Sequence, residues 1–146
     1  TLLQNINGIR NPDTLWPGTE IKVLRGPFRA EVDLQQSKLV LFLGKYYAGQ
    51  FPISAGNDPI PEPAEYEVLA KQPGRDYTAT DGSQISAGAA DNPYGKWWID
   101  LGQGVCIHGS PETLPQRAGL GCISLDSTDA ADVYGILSVH SKVLIR

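Results

Sequence analysis

Residues 28–53 read FRAEVDLQQSKLVLFLGKYYAGQFPI, and this stretch decides the fold. From Phe28 to Leu34 apolar residues alternate with charged ones, which is the pattern of a β-strand with one buried and one solvated face. The run Leu39–Leu43 is apolar throughout, as expected for a strand that is covered on both faces. Gly44 and Lys45 then predict a tight hairpin turn into a third strand, Tyr46–Ile53. These features indicate a mainly β domain.

The rest of the chain continues this pattern, because strand-length apolar segments are separated by Gly, Pro, Asn and Asp. Further strands are predicted at Tyr66–Lys71, Trp97–Leu101, Val105–His108 and Lys142–Arg146. Residues 56–64 carry three prolines and predict a surface loop, and residues 73–95 predict a long irregular crossing. Helical spacing is clear in Ala130–Leu137, preceded by the N-cap candidates Asp126, Ser127 and Thr128. We therefore expect a β-sandwich with one short α-helix near the C-terminus.

The composition argues against several classes of protein. The 146 residues include 12 Lys and Arg and 16 Asp and Glu, a formal net charge of −4, which disfavours binding to a nucleic-acid backbone. No segment approaches the roughly 20 apolar residues that a membrane span requires. The two cysteines are too few for a disulfide-rich scaffold and lack the spacing of a zinc site. We expect no metal and no cofactor, and we expect a monomer.

Residues 1–25 differ in pattern from the rest of the chain. Leu2–Ile9 contains a helix end and an Asn-Gly step, Asn11–Asp13 predicts a turn, and Trp16–Leu24 predicts a Pro-Gly turn and an apolar strand. This order resembles the second half of a lysin motif (LysM), which implies glycan binding by the parent protein. A half module lacks the rest of the binding groove, so we expect no ligand at residues 1–25. The alternative is an N-terminal arm that packs on the main domain, residues 26–146.

The side chains best suited to chemistry are His108 and Cys122. His108 lies at the end of a predicted strand and Cys122 opens the turn that leads to the helix, so both ends of the loop 109–121 can face one cleft. A thiol with a pKa of about 8.5 is mostly un-ionised at neutral pH, and an adjacent imidazole that takes its proton makes the sulfur a nucleophile. Gly121 permits a tight turn, so that nearby main-chain N–H groups, including that of Cys122, can point at an oxyanion. Taken alone, the pair has a plainer explanation as a buried cysteine and a structural histidine.

Several segments occur in an order that is typical of one family. They are Phe51–Gly56, Asn92–Gly95, Ile107–Gly109, Gly121–Leu125, the helix Asp129–Tyr134 and the strand Lys142–Ile145. In this order they resemble the catalytic domain of the L,D-transpeptidases of bacterial peptidoglycan metabolism, over residues 28–146. The resemblance implies that Cys122 is the nucleophile and His108 its base, and that Gly109 and Ser110 orient the imidazole.

The resemblance also implies a reaction, a substrate and a location. Cys122 would attack the carbonyl of the third residue of a tetrapeptide stem and expel the terminal D-alanine, and an amine of a neighbouring stem would then attack the thioester to form a 3–3 cross-link. With water as the acceptor, the same acyl-enzyme would give an L,D-carboxypeptidase. The implied partners are peptidoglycan stem peptides, the implied location is the extracytoplasmic cell envelope, and a carbapenem is expected to acylate Cys122.

The chain departs from the family's pattern around the cysteine. It has Gly119, Leu120 and Ser124 at positions where the family commonly has Ser or Thr, a polar residue, and Arg or Asn. Ser124 offers a hydroxyl but no bidentate grip on a carboxylate, so Arg117, or Arg75 in the long crossing, is a candidate for that charge. These departures leave open a non-catalytic domain that binds peptidoglycan.

The aromatic residues of the long crossing and of the strand after it have two interpretations. Tyr94 and Trp97, together with Tyr77 and Trp98, can form a wall for a glycan or peptide stem, or they can belong to the core.

Cys106 also has more than one interpretation. Strand alternation places it on the same face as His108, about 6.5 Å away along the strand. We expect a buried, inert thiol, and the alternatives are a disulfide with Cys122, which would silence the nucleophile, or a role in redox regulation.

Overall fold

The computed structural model describes residues 2–56, 60–79, 81–111 and 122–146. The first half of its elements, in chain order, comprises α1 (Leu2–Asn7), a 3-10 turn (Pro12–Thr14), β1 (Phe28–Asp33), β2 (Lys38–Leu43), β3 (Tyr46–Pro52), β4 (Ser54–Ala55), β5 (Ala64–Glu67) and β6 (Ala70–Gln72). The second half comprises β7 (Tyr77–Thr78), β8 (Gln84–Ile85), β9 (Trp98–Gly102), β10 (Val105–Ser110), β11 (Cys122–Asp126), α2 (Ser127–Ile136) and β12 (Lys142–Ile145).

The described strands form two five-stranded sheets and a small two-stranded ribbon. The first sheet has the order β3-β2-β1-β12-β5, and the second has the order β4-β11-β10-β9-β6. Most neighbouring strands are antiparallel, but β1 pairs with β12, and β10 with β11, in parallel. The prediction of a mainly β fold with a helix near the C-terminus is confirmed.

The main core lies between the two sheets, because both contribute one row of apolar side chains to it. In the first sheet the alternation of β1 buries Phe28, Ala30 and Val32, as the sequence pattern predicts. The second sheet contributes a larger row, comprising Ile99, Leu101, Val105, Ile107, Ile123 and Leu125. Alternate residues of the second sheet therefore point away from this core, and the candidate site lies on that other face.

The expectation that Leu39–Leu43 is covered on both faces is wrong. Only Leu39 and Leu41 are fully buried, and Val40, Phe42 and Leu43 are half-buried. The outer face of β2 is partly shielded instead by the guanidinium of Arg29, which lies 4.2 Å from the centre of the Phe42 ring. A cation held over an aromatic ring covers apolar surface without a second layer of structure.

Two other strand predictions need correction. The predicted strand Tyr66–Lys71 is split into β5 and β6, which belong to different sheets, and the chain crosses between them at the fully buried Val68. The segment after Cys122 is a strand, β11, and not a turn into the helix. Its hydrogen bonds to β10 and β4 outweigh the local turn pattern, which propensity alone cannot anticipate.

The N-terminal segment has part of the predicted local structure. The helix end and the Asn-Pro-Asp turn form as α1 and the 3-10 turn, and the side chain of Asn11 accepts a hydrogen bond from the main-chain N–H of Asp13. The predicted strand near Trp16–Leu24 is absent, and Trp16 is 81% exposed. Asn7 ties this segment to α1 through two hydrogen bonds with the main chain of Lys22. The resemblance to a lysin motif remains a prediction.

Helix α2 begins where the sequence predicts, since the Asp126 carboxylate accepts hydrogen bonds from the N–H groups of Thr128 and Asp129 at 2.8 and 2.9 Å. The helix packs on the core face of β10. Contact is close at Gly109, where an added Cβ would lie 2.7 Å from the Cβ of Ala130. Gly109 therefore allows the helix to seat against the strand that carries His108.

The long crossing between β6 and β9 is organised by Asn92, which is fully buried. Its Nδ2 donates to the main-chain carbonyls of Arg75, Ile85 and Ser86, and its Oδ1 accepts from the N–H of Tyr94. One side chain thus satisfies four main-chain groups of an otherwise irregular segment. The crossing is held as a defined structure over the outer face of the second sheet.

The turn that follows Asn92 approaches β10 at a position where only glycine fits. Gly95 has a φ of +60°, and an added Cβ would lie 1.7 Å from the carbonyl oxygen of Gly109. The Gly95→Ala variant is expected to lose roughly 3 kcal/mol or more of unfolding free energy, because left-handed strain adds to a main-chain clash. Urea unfolding under non-reducing conditions measures this loss.

Gly88→Ala is the matched control for this prediction. Gly88 has a φ of +79° in the same crossing, but no atom lies within 4 Å of an added Cβ. The Gly88→Ala variant should lose only about 1 kcal/mol of unfolding free energy, because the left-handed backbone strain is not accompanied by a clash. Equal losses in the two variants would contradict the close approach of the turn to β10.

Candidate active site

The candidate site is built on the register between β10 and β11. His108 lies opposite Ser124, and Cys106 lies opposite Cys122. On its other side His108 lies opposite Trp98 of β9. Because side chains alternate along strands, Cys122 and His108 point to the same face and are diagonal neighbours.

A disulfide joins Cys106 to Cys122 across the two strands, whose Cα atoms are 4.6 Å apart at this position. The expectation of an inert Cys106 thiol is therefore wrong, and the alternative of a disulfide describes the structure. The physical reason is the parallel register, which places the two cysteines directly opposite each other on one face. In this state the Cys122 sulfur has no thiol or thiolate form.

Both residues of the predicted pair are buried. Cys122 and His108 are each 1% exposed, so they do not face the open cleft that we expect from the sequence. Neither ring nitrogen of His108 has a hydrogen-bond partner among the described residues. Burial lowers the His108 pKa to about 4. The imidazole is therefore neutral at pH 7, the form that can accept a proton.

Tyr77, Tyr94, Trp98 and the imidazole of His108 form an aromatic cluster. The centre of the Tyr94 ring lies 5.3 Å from that of His108, 4.6 Å from that of Trp98 and 5.2 Å from that of Tyr77, each pair in an edge-to-face arrangement. The Trp98 ring lies nearly parallel to His108, at 6.1 Å. Trp98, Cys106 and Cys122 form one buried group against which Tyr94 packs.

The structure places Trp98 in this cluster and Trp97 elsewhere. The Trp97 ring packs 4.8 Å from the Tyr134 ring of α2 and contacts the main core. The prediction that Trp97 contacts substrate is therefore corrected, because it precedes β9 on the face that turns towards the helix. Tyr94 lies beside the His108 ring, and its contact with substrate stays a prediction.

The residues predicted to support the pair have different surroundings. Ser124 is fully buried, and its hydroxyl donates to the Ser54 carbonyl at 3.3 Å. Ser110 is also buried, but its Oγ has no partner in the described part of the chain and makes no hydrogen bond to His108 there. The main-chain N–H of Gly109 donates to the Trp97 carbonyl, which fixes the strand directly after His108.

Two predicted residues, Arg117 and Gly121, lie outside the described residues. The other candidate for a positive charge, Arg75, is described, and its guanidinium lies 4.7 Å from the centre of the Trp98 ring. The second sheet and the crossing thus bring together Cys122, His108, Tyr94 and Arg75.

In the described segments, no three His, Cys, Asp or Glu side chains come together in a way that could hold a metal ion. Across those same segments, none of the helices is both long enough and apolar enough to cross a bilayer.

The second sheet carries Cys122 and His108 on one face of the neighbouring strands β11 and β10. The L,D-transpeptidase catalytic domain (YkuD) family model matches residues 27–145, and the chain belongs to this family. This confirms the resemblance that the sequence segments indicate. A search of curated proteins finds no match.

Solved structures share the fold. An L,D-transpeptidase from Mycobacterium smegmatis is 18% identical with a TM-score of 0.63, over 82% of this chain and 58% of that one. An L,D-transpeptidase from Mycobacterium tuberculosis is 19% identical with a TM-score of 0.63, over 82% of this chain and 57% of that one. A mutant L,D-transpeptidase from Enterococcus faecium is 19% identical with a TM-score of 0.63, over 81% and 49%. The chain thus spans between half and three fifths of the length of these relatives.

The neutral, buried His108 predicts a pH dependence of stability. Its pKa of about 4 in the folded protein lies below the ordinary value of 6.5, so the unfolded chain binds more protons between these two values. The stabilisation is complete above pH 6.5 and is lost as the pH falls through 4. The expected loss is roughly 3 kcal/mol, from 1.36 kcal/mol per pKa unit.

Urea unfolding of the oxidised wild type and of His108→Phe, from pH 7.5 to pH 3.5, isolates this contribution from the carboxylates that both proteins share. The difference in unfolding free energy between the two proteins should be flat above pH 7 and should shift against the wild type below pH 6.5. A constant difference over the whole range would contradict the lowered pKa of His108 in the folded protein.

Proposed function

We propose that the chain is a cysteine acyltransferase of the L,D-transpeptidase type, in which Cys122 is the nucleophile and His108 is the base. The observation that carries the proposal is that β10 and β11 put these two side chains on one face as diagonal neighbours, within a domain of this family. The substrates would be peptidoglycan stem peptides, and the place of action would be the cell envelope outside the cytoplasm.

The first half-reaction forms a thioester. The Cys122 thiol passes its proton to the neutral His108 imidazole as the sulfur attacks the carbonyl carbon of the third stem residue. Main-chain N–H groups near Cys122 stabilise the oxyanion. The C–N bond then breaks, and D-alanine leaves with the proton that His108 held.

The second half-reaction transfers the acyl group. An amine of a second stem attacks the thioester, and His108 takes a proton from that nitrogen. The C–S bond then breaks, and this proton passes from His108 to the Cys122 sulfur, which restores the thiol. With water in place of the amine, the product is a trimmed tripeptide stem. Analysis of products from tetrapeptide stems distinguishes cross-linking from L,D-carboxypeptidase activity.

The disulfide form cannot begin this reaction, because the Cys122 sulfur is already bonded to Cys106. The proposal therefore requires reduction by a dithiol. The dithiol attacks the disulfide, gives up two electrons and two protons, and becomes a disulfide itself, while Cys106 and Cys122 become thiols. The oxidised chain is the inactive form in this account.

The second candidate function is a peptidoglycan-binding domain without catalysis. The disulfide and the near-complete burial of both Cys122 and His108 favour it, since a structural disulfide needs no access to substrate. Glycine and serine at positions 119 and 124, where the family commonly has polar or basic residues, point the same way.

Exposure to a carbapenem, followed by intact-protein mass measurement, decides between these candidates. The reduced wild type should gain the mass of one carbapenem, because a thiolate opens the strained amide of the lactam, and the oxidised wild type should gain none. Cys106→Ser leaves Cys122 without its disulfide partner and should form the adduct without reductant. Cys122→Ala should form none under either condition.

The reduced state of each sample is confirmed by alkylation of the unfolded protein. An absent adduct on both the reduced wild type and Cys106→Ser, with free thiols confirmed, would contradict the acyltransferase and leave the binding domain.

A further inference from the structure

We infer that Arg75 is a specificity-determining residue that binds the terminal carboxylate of the donor stem peptide. The inference rests on the proposed function for the identity of the ligand, and on the placement of Arg75 against the aromatic cluster for the site. Arg75 lies 47 positions before Cys122 in the sequence, and the fold brings it to the cluster.

Two ring contacts set an upper limit on the distance between the guanidinium and the His108 imidazole. It lies 4.7 Å from the centre of the Trp98 ring, which in turn lies 6.1 Å from the centre of the His108 ring. The positive charge is thus within about 11 Å of the imidazole, whichever face of Trp98 it occupies. A stem peptide whose scissile bond reaches Cys122 and His108 lies within the range of this charge.

The backbone that presents Arg75 is fixed. The fully buried Asn92 donates to the Arg75 carbonyl at 2.8 Å, and the carboxylate of the next residue, Asp76, accepts from the N–H of Ala87 at 2.7 Å. With its main chain held and its guanidinium stacked on an indole, the side chain loses less freedom when it binds a ligand.

The charge of Arg75 is available. Among the described residues no carboxylate lies within 4 Å of its guanidinium, whereas Arg29, the other arginine stacked on a ring, is paired with Glu31. The side chain is exposed, so a solute can reach it. In the described part of the chain, the contact between Arg75 and Trp98 is the cation–ring contact that involves the aromatic cluster.

The ligand chemistry follows from the donor peptide. Its terminal D-alanine places a carboxylate three bonds from the amide nitrogen that leaves, so the negative charge nearest the reaction is this carboxylate. Guanidinium binds carboxylate through two parallel N–H···O bonds. Ser124, at the position near the cysteine where the family commonly has a basic or amide residue, is buried and bonded to Ser54, so it offers no such grip. Arg75, stacked on Trp98 of the aromatic cluster, supplies that charge instead.

The test compares two tetrapeptide stems that differ at one group, the terminal D-alanine carboxylate or its carboxamide. Binding is measured by calorimetry in the Cys122→Ala background, which can be neither acylated nor oxidised to the disulfide. With Arg75 present, the carboxylate peptide should bind at least about tenfold tighter than the carboxamide. Arg75→Gln should reduce this ratio to about one, and Arg75→Lys should keep part of it.

Arg29→Gln is the matched control, because it removes an arginine that is also stacked on a ring but belongs to the first sheet. It should leave the ratio unchanged. A ratio near one with Arg75 present, a ratio that survives Arg75→Gln, or no binding of either peptide at millimolar concentration would overturn the inference. Because this background lacks the nucleophile, an inert Cys122 in the carbapenem experiment does not affect the result. If Cys122 is inert in that experiment, Arg75 can still be the carboxylate-binding residue of a peptidoglycan-binding domain.

Discussion

The parallel pairing of β10 with β11 is the constraint on which the candidate site depends. Side chains alternate with a period of two, so a slip of one residue would turn Cys122 into the main core and leave His108 alone on the outer face. The observed register sets Ser124 beside His108 and Cys106 beside Cys122. Gly109 and Gly95 allow close packing on β10, since Gly109 leaves room for α2 and Gly95 leaves room for the turn of the crossing.

The same register gives the Cys122 sulfur two possible partners. Cys106 lies directly opposite and forms a disulfide, whereas His108 lies on the diagonal. In the oxidised chain the imidazole has no hydrogen-bond partner among the described residues and burial depresses its pKa, so it remains a neutral base. A thiolate formed at Cys122 would offset the cost of a buried imidazolium, because each charge stabilises the other. Reduction therefore changes the chemistry of both residues.

Much of the fold could be predicted from the sequence, because the alternation of apolar and polar residues in strands and the N-cap residues of helices are local signals. The strand at Phe28–Asp33 and the start of α2 at Asp126 follow directly from them. Strand β11 and the split of β5 from β6 could not be predicted, because they depend on pairing with distant segments. Of the site, sequence segments indicated Cys122 and His108. The choice of Trp98 over Trp97, and the role of Asn92 as a hydrogen-bond centre, required the three-dimensional arrangement.

The central claim is that His108 changes the acidity of the Cys122 thiol, and the pH dependence of alkylation tests it most directly. In the Cys106→Ser variant, the rate of reaction with iodoacetamide from pH 5 to pH 9 should have a midpoint well below the ordinary thiol pKa of about 8.5. Addition of His108→Gln should move the midpoint to that value or above it. The same midpoint with and without the imidazole would contradict the account.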